Sequence, residues 1–179
     1  MKKRQNKGII QVYTDGAYDW ESGVGGYGAV IFMNKGGKNR MRKFSSNPAY
    51  VDTTNNRMEI RAILACLKQI DPGYDIDIYT DSTYCELIMK KILDRFTYTP
   101  KVNKDLWNKV AKEVKHHRTE GSWINVSWIR GHSGNPFNEM ADKLANKGQK
   151  ALKKVVCDQN FHENKEARKN KKKQKWVKY

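Results

Sequence analysis

The spacing of hydrophobic residues divides this chain into short strands and amphipathic helices. Five short runs are predicted to be strands, the first of which, residues 9–14, is rich in β-branched and aromatic residues. Four longer segments place apolar residues three or four positions apart, as at Ile60, Ile63 and Leu67, and this spacing predicts helices. The predicted strands are residues 9–14, 29–33, 40–46, 75–80 and 124–129, and the predicted helices are residues 56–70, 82–95, 105–117 and 138–152.

The order of these elements, β-β-β-α-β-α-α-β-α, predicts an α/β fold. The first three strands follow one another through glycine-rich turns and are expected to form an antiparallel meander, whereas the later strands are separated by helices and are expected to run parallel. We therefore predict a five-stranded mixed sheet flanked by helices. The second helix is expected to bury Leu87, Ile88 and Ile92 on one side.

Length and composition favour a single domain outside the membrane. The chain has 179 residues, 38% of them hydrophobic, which is enough for one modest core. No apolar run approaches the roughly 20 residues of a membrane-spanning helix, and the apolar stretch after the basic start is too short for a signal peptide. The three cysteines, Cys66, Cys85 and Cys157, form no Cys-x-x-Cys pair, which argues against a disulfide framework or a structural zinc site. This cysteine usage favours a reducing compartment, so we expect a cytoplasmic protein without membrane contact.

Positive charge dominates the chain, and most of it lies near the two ends. Lys and Arg number 35 against 19 Asp and Glu, a net charge of +16 that points to a polyanionic partner, most often nucleic acid, and away from an ordinary metabolic enzyme. We predict a short basic segment at residues 1–8, a folded domain at residues 9–154 and a basic, flexible tail at residues 155–179. The tail is interpreted either as a solubilising or localisation segment or as an arm that binds nucleic acid.

A short sequence repeat supplies the first candidate residues of a functional site. The first and fourth predicted strands both end in Tyr-Thr-Asp, which puts Asp15 and Asp81 at their carboxyl ends. If these strands are parallel neighbours, about 4.8 Å apart, the two carboxylates lie side by side at the edge where open α/β sheets bind ligands. Such a pair repels unless a proton or a cation intervenes, and Mg²⁺ prefers oxygen ligands of this kind. Taken singly, Asp15 with Gly16 is also typical of a turn, and Asp81 is also typical of a helix N-cap.

Three further residues extend this candidate site. Glu59 stands at the start of the first predicted helix, where it could equally form a capping box with Asn56. Asp142 falls in the first turn of the last predicted helix, where a favourable interaction with the helix dipole would also explain it. His132 lies in a loop between glycines, which suits proton transfer near neutral pH better than it suits core packing.

Six motifs connect these residues in a fixed order along the chain. They are YTDGA with Asp15, GGYGAV from Gly25, TTNNRMEI with Glu59, YTDS with Asp81, NKDLW from Asn103, and WIRGHSGNPFNEMAD with His132 and Asp142. As a set they closely resemble type 1 ribonuclease H over roughly residues 8–150. The resemblance implies the RNase H-like fold and an endonuclease that hydrolyses the RNA strand of RNA–DNA hybrids by a two-metal-ion mechanism. It implies two Mg²⁺ ions, for which Mn²⁺ can substitute, and products with 5′-phosphate and 3′-hydroxyl ends.

The same resemblance implies a role for each matching residue. The metal ligands would be four carboxylates, with Asp15 shared between both ions, and His132 would assist proton transfer or product release. Amides and backbone groups would read the minor groove, including the RNA 2′-hydroxyls that distinguish RNA from DNA, and a hydroxyl and an amide would hold a phosphate of the DNA strand. The metal ligands are Asp15, Glu59, Asp81 and Asp142; the substrate contacts are Gly16, Asn55 and Asn56 in the groove, Thr54 and Asn103 in the phosphate pocket, and Asn135.

The chain departs from the family pattern at three positions that face substrate in relatives. Asp52 stands where some relatives place an Arg at the phosphate pocket, Glu21 where they often place an Asn at the minor groove, and Ile92 where they place a Trp against the DNA strand. An exposed carboxylate at Glu21 would repel phosphates.

The region between Asp81 and Trp107 is also too short for the extra basic helix with which some bacterial members grip the hybrid. We therefore predict that the basic tail supplies part of the lost grip, and that cutting the chain after Cys157 raises KM with little change in kcat.

Two other functions remain open from the residues alone. One is a binding module for hybrids or duplexes that does not cleave them, against which the four carboxylates and His132 argue. The other is the nuclease domain of a reverse transcriptase, against which the start at Met1 and the basic tail argue. The expected form of the protein is a free-standing monomer whose partner is an RNA–DNA hybrid.

Overall fold

The computed structural model describes residues 7–95, 97–98 and 100–158. Strands and helices alternate much as predicted, and all five predicted strands and all four predicted helices are present in this part of the chain. The strands are β1 (Ile9–Tyr18), β2 (Val24–Lys35), β3 (Lys38–Ser45), β4 (Ala49–Val51), β5 (Asp75–Thr80), β6 (Ile124–Trp128) and β7 (Val155–Cys157), and the helices are α1 (Asn55–Gln69), α2 (Thr83–Asp94), α3 (Lys104–Thr119) and α4 (Pro136–Gln149). No helix among these residues is both long enough and apolar enough to cross a membrane.

The strands form one mixed sheet with β1 near its centre. The order is β6-β5-β1-β2-β4-β7, and β3 pairs with β2. β1 runs antiparallel to β2 and parallel to β5, and β5 runs parallel to β6. The mixed sheet is therefore confirmed, but it has seven strands in the described residues and not five. The two additional strands, β4 and β7, are three residues long, too short to show a hydrophobic period.

Residues on β1 alternate between the two faces of the sheet and so contribute to two apolar clusters. Val12 joins the larger cluster with residues of α1, α2 and α3, and Tyr13 joins a smaller one with Val30 and Ala141 beneath α4. Gly28 of β2 has no room for a side chain, because a Cβ there would overlap the backbone of α4. This close packing holds α4, the helix that carries Asp142, directly against the sheet.

Two helices differ from the predictions in ways that bear on the site. α4 begins at Pro136, because the side chain of Asn135 accepts hydrogen bonds from the N–H groups of Phe137 and Asn138. Asp142 therefore lies in the second turn of α4 and not in the first. In α2, Ile88 and Ile92 are buried as expected, whereas Leu87 is exposed.

The predicted tail begins too early in the sequence. Residues 155–157 form β7, which pairs in parallel with β4, and Asp158 directly after them is buried. These residues belong to the folded domain because backbone pairing and ion pairs both hold them there. At the other end, the backbone N–H of Lys7 donates to the carbonyl of Gly73. The rest of the proposed division stays a prediction, since residues 1–6 and 159–179 lie outside the described chain.

Asp158 is buried because two arginines of α1 surround its carboxylate. Arg57, fully buried, donates to both of its oxygens, at 2.7 Å from Nε and 2.6 Å from Nη2, and Arg61 adds a third bond at 2.8 Å. Arg57 also donates two hydrogen bonds to Asp105 at the start of α3, at 2.9 and 2.7 Å. Burial by itself would raise the pKa of Asp158, but the hydrogen bonds and charges of the two arginines outweigh it and lower that pKa. This network ties the chain after β7 to α1 and α3.

We expect Asp158→Asn to lower the free energy of unfolding by about 3 kcal/mol at pH 7, because it leaves the buried Arg57 only partly compensated. Since the folded-state pKa of Asp158 is depressed, its contribution is present at neutral pH and is lost as the pH falls through that pKa. Urea denaturation at pH 7 and in acid, with Asp94→Asn at an exposed ion pair as the control, measures both effects. Equal stability of the Asp158 and Asp94 variants would contradict this account.

Candidate active site

Three carboxylates converge at the carboxyl ends of β1 and β5. Thr14 and Thr80 are partners in the parallel register, so the next residues, Asp15 and Asp81, leave neighbouring strands at the same level. Glu59, from the second turn of α1, joins them. The ligand atoms of the three side chains all lie within 4.8 Å of one another. The structure therefore places together the first three of the four predicted metal ligands.

Glu59 meets Asp15 because β1 and α1 make contact at Gly16. A Cβ on Gly16 would lie 2.7 Å from the backbone nitrogen of Glu59, so only a glycine allows this approach. The N–H of Gly16 donates to Oδ1 of Asp15 at 2.7 Å. Oε1 of Glu59 accepts from Asn55 at 3.5 Å, whereas Oε2 is buried without a hydrogen-bond partner among the described residues. A buried carboxylate oxygen left in this way is suited to a ligand that the protein itself does not supply.

Asp81 is held by residues from the end of β6, from the loop after it and from α4. The indole N–H of Trp128 donates to its backbone carbonyl at 2.9 Å, and the amide of Asn138 donates to Oδ2 at 3.5 Å. A Cβ on Gly131 would lie 2.8 Å from Oδ2, so a side chain at that position would push the carboxylate away. Asp81 therefore has a defined place beside Asp15.

Burial and mutual repulsion strongly perturb the pKa values of this cluster. Burial raises the pKa of Asp15 to about 7, and the charges of Asp81 and Asp142 act in the same direction, while the hydrogen bond from Gly16 opposes them. Burial, followed by the charges of Asp15 and Asp81, raises the pKa of Glu59 well above its ordinary value. The cluster therefore resists full ionisation unless positive charge is brought to it.

The helix-capping and turn interpretations of these carboxylates are excluded. α1 is capped by the hydroxyl of Thr54, which accepts from the N–H of Arg57, and α2 is capped by Ser82, which accepts from the N–H of Cys85. β1 continues through Asp15 to Tyr18, so Asp15 is not in a turn. None of the three carboxylates is needed to cap a helix or make a turn.

Asp142 lies beside the cluster and not within it. Its negative charge contributes to the raised pKa of Asp15, so the two side chains interact. Its Oδ1 accepts a hydrogen bond of 2.8 Å from Asn146, one turn later on α4. The fourth predicted ligand is thus half-buried next to the other three and held by a neighbour on its own helix.

His132 is exposed in the loop between β6 and α4. Its backbone is left-handed, with φ of 51°, and the loop is anchored by a hydrogen bond from the N–H of Ile129 to the carbonyl of Thr80. The loop therefore starts beside Asp81 and leaves the imidazole accessible to solvent.

The predicted substrate contacts fall into two groups around α1. Asn55 and Asn56 are exposed in its first turn, just before Met58 and Glu59, whose backbone contacts Gly16. Thr54 and Asn103 are both linked to Arg57: Thr54 accepts from its backbone N–H, and Oδ1 of Asn103 accepts from its guanidinium at 3.4 Å. Asn135 uses its side-chain oxygen to cap α4.

The three departures from the family pattern also have places in the structure. Ile92 is buried in the larger core cluster, so packing explains an apolar residue there. Asp52 is exposed with φ of 55°, and its carboxylate accepts a hydrogen bond from the thiol of Cys157. Glu21 is exposed in the loop between β1 and β2.

Several residues that support the site were missed from sequence. Trp128, Gly131 and Asn138 act on Asp81 from positions 47 to 57 residues away, a relation that no local pattern reveals. Asn146 had a detectable signal, because a residue four positions after Asp142 on a helix is within reach of it.

Comparison with known proteins agrees with this geometry. The sequence model of the RNase H family matches residues 7–150. A Ribonuclease H of Ehrlichia ruminantium (strain Gardel) is 37% identical over 153 residues, which cover 81% of this chain and 96% of that protein. A Ribonuclease H of Francisella philomiragia is 38% identical over 149 residues, which cover 79% of this chain and 91% of that protein.

A solved structure shares the fold. LC9-RNase H1, described as a type 1 RNase H with the type 2 active-site motif, superposes with a TM-score of 0.61 at 24% identity, covering 79% of this chain and 72% of that one. The family match spans most of the sequence and includes every carboxylate of the candidate site, and so this chain belongs to the RNase H family.

Proposed function

We propose that this protein hydrolyses the RNA strand of RNA–DNA hybrids internally, leaving 5′-phosphate and 3′-hydroxyl ends, with two divalent cations at Asp15, Glu59, Asp81 and Asp142. The observation that carries the proposal is the convergence of Asp15, Glu59 and Asp81 in a chain of the RNase H family. The partner is consistent with the net charge of +16.

The donor set fits a hard divalent cation. All the candidate ligand atoms are carboxylate oxygens, one of them the buried Oε2 of Glu59 with no described partner. Burial, followed by the neighbouring negative charges, raises the pKa values of Asp15 and Glu59, and a bound cation would favour their ionised forms. Mg²⁺ prefers such ligands, and Mn²⁺ can bind the same set. Bound metal ions would activate a water molecule and stabilise the leaving oxygen of the phosphodiester.

Different residues of the chain would bind the cations, position Asp81 and transfer a proton. Asp15, central in the cluster, would be shared by both cation positions, and Asp142, held by Asn146, would complete the second. Asn138 and Trp128 keep Asp81 in place. His132 would move a proton at an imidazole nitrogen or assist product release, because it is exposed on the loop that begins beside Asp81.

Substrate recognition would use the two groups around α1. The exposed amides of Asn55 and Asn56, beside Gly16, would donate and accept hydrogen bonds in the minor groove, where the 2′-hydroxyl marks the RNA strand. Thr54 and Asn103 would hold a phosphate of the DNA strand, positioned by their shared contact with Arg57.

The proposal is tested with end-labelled RNA–DNA, RNA–RNA and DNA–DNA duplexes, in Mg²⁺ and in EDTA. We expect internal cuts in the RNA of the hybrid alone, only with Mg²⁺, and none with Asp81→Asn. The control Asp94→Asn makes the same change of charge at an exposed site and is expected to cleave normally. A folded protein that leaves the hybrid intact, or that cuts all three duplexes equally, would contradict the proposal.

Removing one charge from the cluster should stabilise the metal-free protein. We expect Asp15→Asn to raise the melting temperature in EDTA at pH 8, because it relieves repulsion among buried carboxylates. The folded-state pKa of Asp15, about 7, lies above its unfolded value, so the wild type gains stability as the pH falls towards 5, and the difference from the variant narrows. Mg²⁺ should raise the melting temperature of the wild type and not that of the variant.

The same melting measurement can also contradict the assignment of Asp15 to the cluster. If Asp15→Asn melts lower than the wild type in EDTA at pH 8, or if Mg²⁺ stabilises both proteins equally, Asp15 is not part of a repulsive metal-binding cluster. Asp94→Asn serves again as the charge-matched control.

His132→Ala should lower kcat by about 100-fold while KM and hybrid affinity change little, since a general acid or base acts on the reaction and not on the complex. His116, also exposed but on α3, provides the control His116→Ala. Steady-state kinetics and binding in EDTA separate the two effects. Loss of Mg²⁺ binding in His132→Ala would show instead that the imidazole is a metal ligand.

The basic tail is proposed to hold the sugar-phosphate backbone. Residues 159–179, outside the described chain, contain eight Lys and Arg against two Glu. The chain enters this segment at Asp158, which binds Arg57, and Arg57 also contacts Asn103 of the proposed phosphate pocket. The tail therefore begins close to a surface where we place the DNA strand.

Testing the tail requires a different cut from the one after Cys157, because that cut would also remove Asp158 and its ion pairs. A chain ending after Asp158 should show a higher KM at moderate salt and an unchanged kcat. If the tail of the full chain contacts three phosphates, the truncated chain should also show a slope of log affinity against log salt that is flatter by about 3 units. A chain ending after Cys157 should in addition be less stable. Equal KM and equal salt dependence for the full chain and the chain ending after Asp158 would show that the tail does not bind substrate.

A further inference from the structure

A tryptophan in the loop after β1 is almost fully exposed at the same end of the sheet as the carboxylates. Trp20 is 87% exposed, the highest value among the large hydrophobic residues described. Its ring contacts Tyr18 edge to face, with centroids 5.4 Å apart. The exposed indole and the half-buried Tyr18 ring therefore form an aromatic pair at the surface, and such side chains are enriched at binding interfaces.

The loop that carries Trp20 is well ordered by its own hydrogen bonds. The carboxylate of Asp19 accepts from the N–H of Glu21 and from the N–H and hydroxyl of Ser22. The backbone of Asp19 is bonded to both Val24 and Gly23, with its N–H donating to the carbonyl of Val24 and its carbonyl accepting from Gly23, each at 2.9 Å. The side chain of Trp20 is thus presented from a fixed loop, which lowers the entropy lost when it binds a partner.

The strand register places Tyr18 on the face of the sheet that carries the start of α1. Tyr18 is paired with Gly25, and paired residues of an antiparallel ladder extend on the same face. A Cβ on Gly25 would meet Thr53 and Met58, which flank the first turn of α1. Trp20 contacts Tyr18, so the aromatic pair lies on the side where the exposed amides of Asn55 and Asn56 are found.

The charges of this loop decide which part of a nucleic acid it can meet. Glu21 next to Trp20 is exposed and negative, and Asp19 is also a carboxylate, so phosphates are repelled here. The sugars and base edges in a groove carry no net charge. The minor groove of an A-form duplex is wide and shallow enough to admit an indole ring.

We propose that Trp20, supported by Tyr18, is a contact surface for the sugar and base edges of the minor groove of the RNA–DNA hybrid. The surface rests on the proposed function and extends it away from the carboxylates, because Trp20 lies beyond the end of β1, five residues past Asp15. Binding at this distance from the scissile bond strengthens the complex and leaves the chemical step unchanged. The contact is apolar, so its contribution does not depend on salt.

Trp123 offers a matched control. It is also exposed, at 59%, but it precedes β6 and so lies at the opposite end of the sheet from the carboxylates. Asp15 and Asp81 come directly after Thr14 and Thr80, the last residues paired between β1 and β5. Both substitutions, Trp20→Ala and Trp123→Ala, remove an exposed indole from the surface. Melting temperatures check that each variant is folded.

The experiment measures hybrid affinity by fluorescence anisotropy in EDTA and cleavage in Mg²⁺, at low and at moderate salt. We expect Trp20→Ala to raise Kd and KM about tenfold at both salt concentrations, within the range for stacking of a single aromatic side chain, with kcat within about twofold of the wild type. Trp20→Phe should recover most of the affinity, and Trp123→Ala should match the wild type.

Any other outcome overturns the proposal, and the results show whether the proposed function fails with it. Unchanged Kd and KM for Trp20→Ala, in a wild type that cleaves hybrids, would remove Trp20 from the substrate surface and leave the proposed function intact. An equal effect of Trp123→Ala would show a general loss of affinity, and a change in mass by light scattering would show that Trp20 binds a second copy of this chain. A folded wild type that neither binds nor cleaves the hybrid would overturn both proposals together.

Discussion

The contact between β1 and α1 at Gly16 brings like charges together, and the rest of the site depends on this contact. No side chain separates the strand from the backbone of Glu59, so this carboxylate is pressed against Asp15 and buried. The parallel register of β1 and β5 brings Asp81 to the same place. Burial and repulsion both oppose ionisation of these three adjacent carboxylates, so the fully ionised cluster is favourable only when positive charge is brought to it.

Two side chains of opposite charge in the first two turns of α1 are directed to different parts of the fold. Arg57, two residues before Glu59, is directed away from the cluster into ion pairs with Asp105 and Asp158. The first two turns of α1 therefore carry a negative side chain towards the carboxylate cluster and a positive one towards α3 and the end of β7. The same residue links the proposed phosphate pocket to the fold through Asn103.

Most of the fold, and the core of the site, could be predicted from sequence for identifiable reasons. The repeated Tyr-Thr-Asp placed Asp15 and Asp81 on strands that the topology could pair, and that pairing is present with Thr14 beside Thr80. Features that depend on contacts between distant segments were inaccessible. β4 and β7 are too short to show a hydrophobic period, and they are strands because β4 pairs with β2 and β7 pairs with β4.

Single polar residues were equally hard to place. Asp158 read as part of a basic, polar tail, because nothing near it in the sequence indicates two arginines about 100 positions earlier. The position of Asp142 depended on where α4 begins, and the capping side chain of Asn135 with Pro136 moved that start by two residues. Ile92 could be assigned to the core by its spacing in α2, and that assignment is the one the structure supports.

The separation between Arg57 and Asp158 also affects how the chain can fold as it is synthesised. The catalytic edge needs only residues up to Asp142, but the guanidinium buried beneath α1 lacks one of its two carboxylate partners until residue 158 has emerged, 101 residues after Arg57. Since a buried charge without its partners is costly, α1 cannot settle fully against α3 and β4 before that point. The nascent domain is therefore expected to stay partly open, with its strands exposed to chaperones, until β7 closes it.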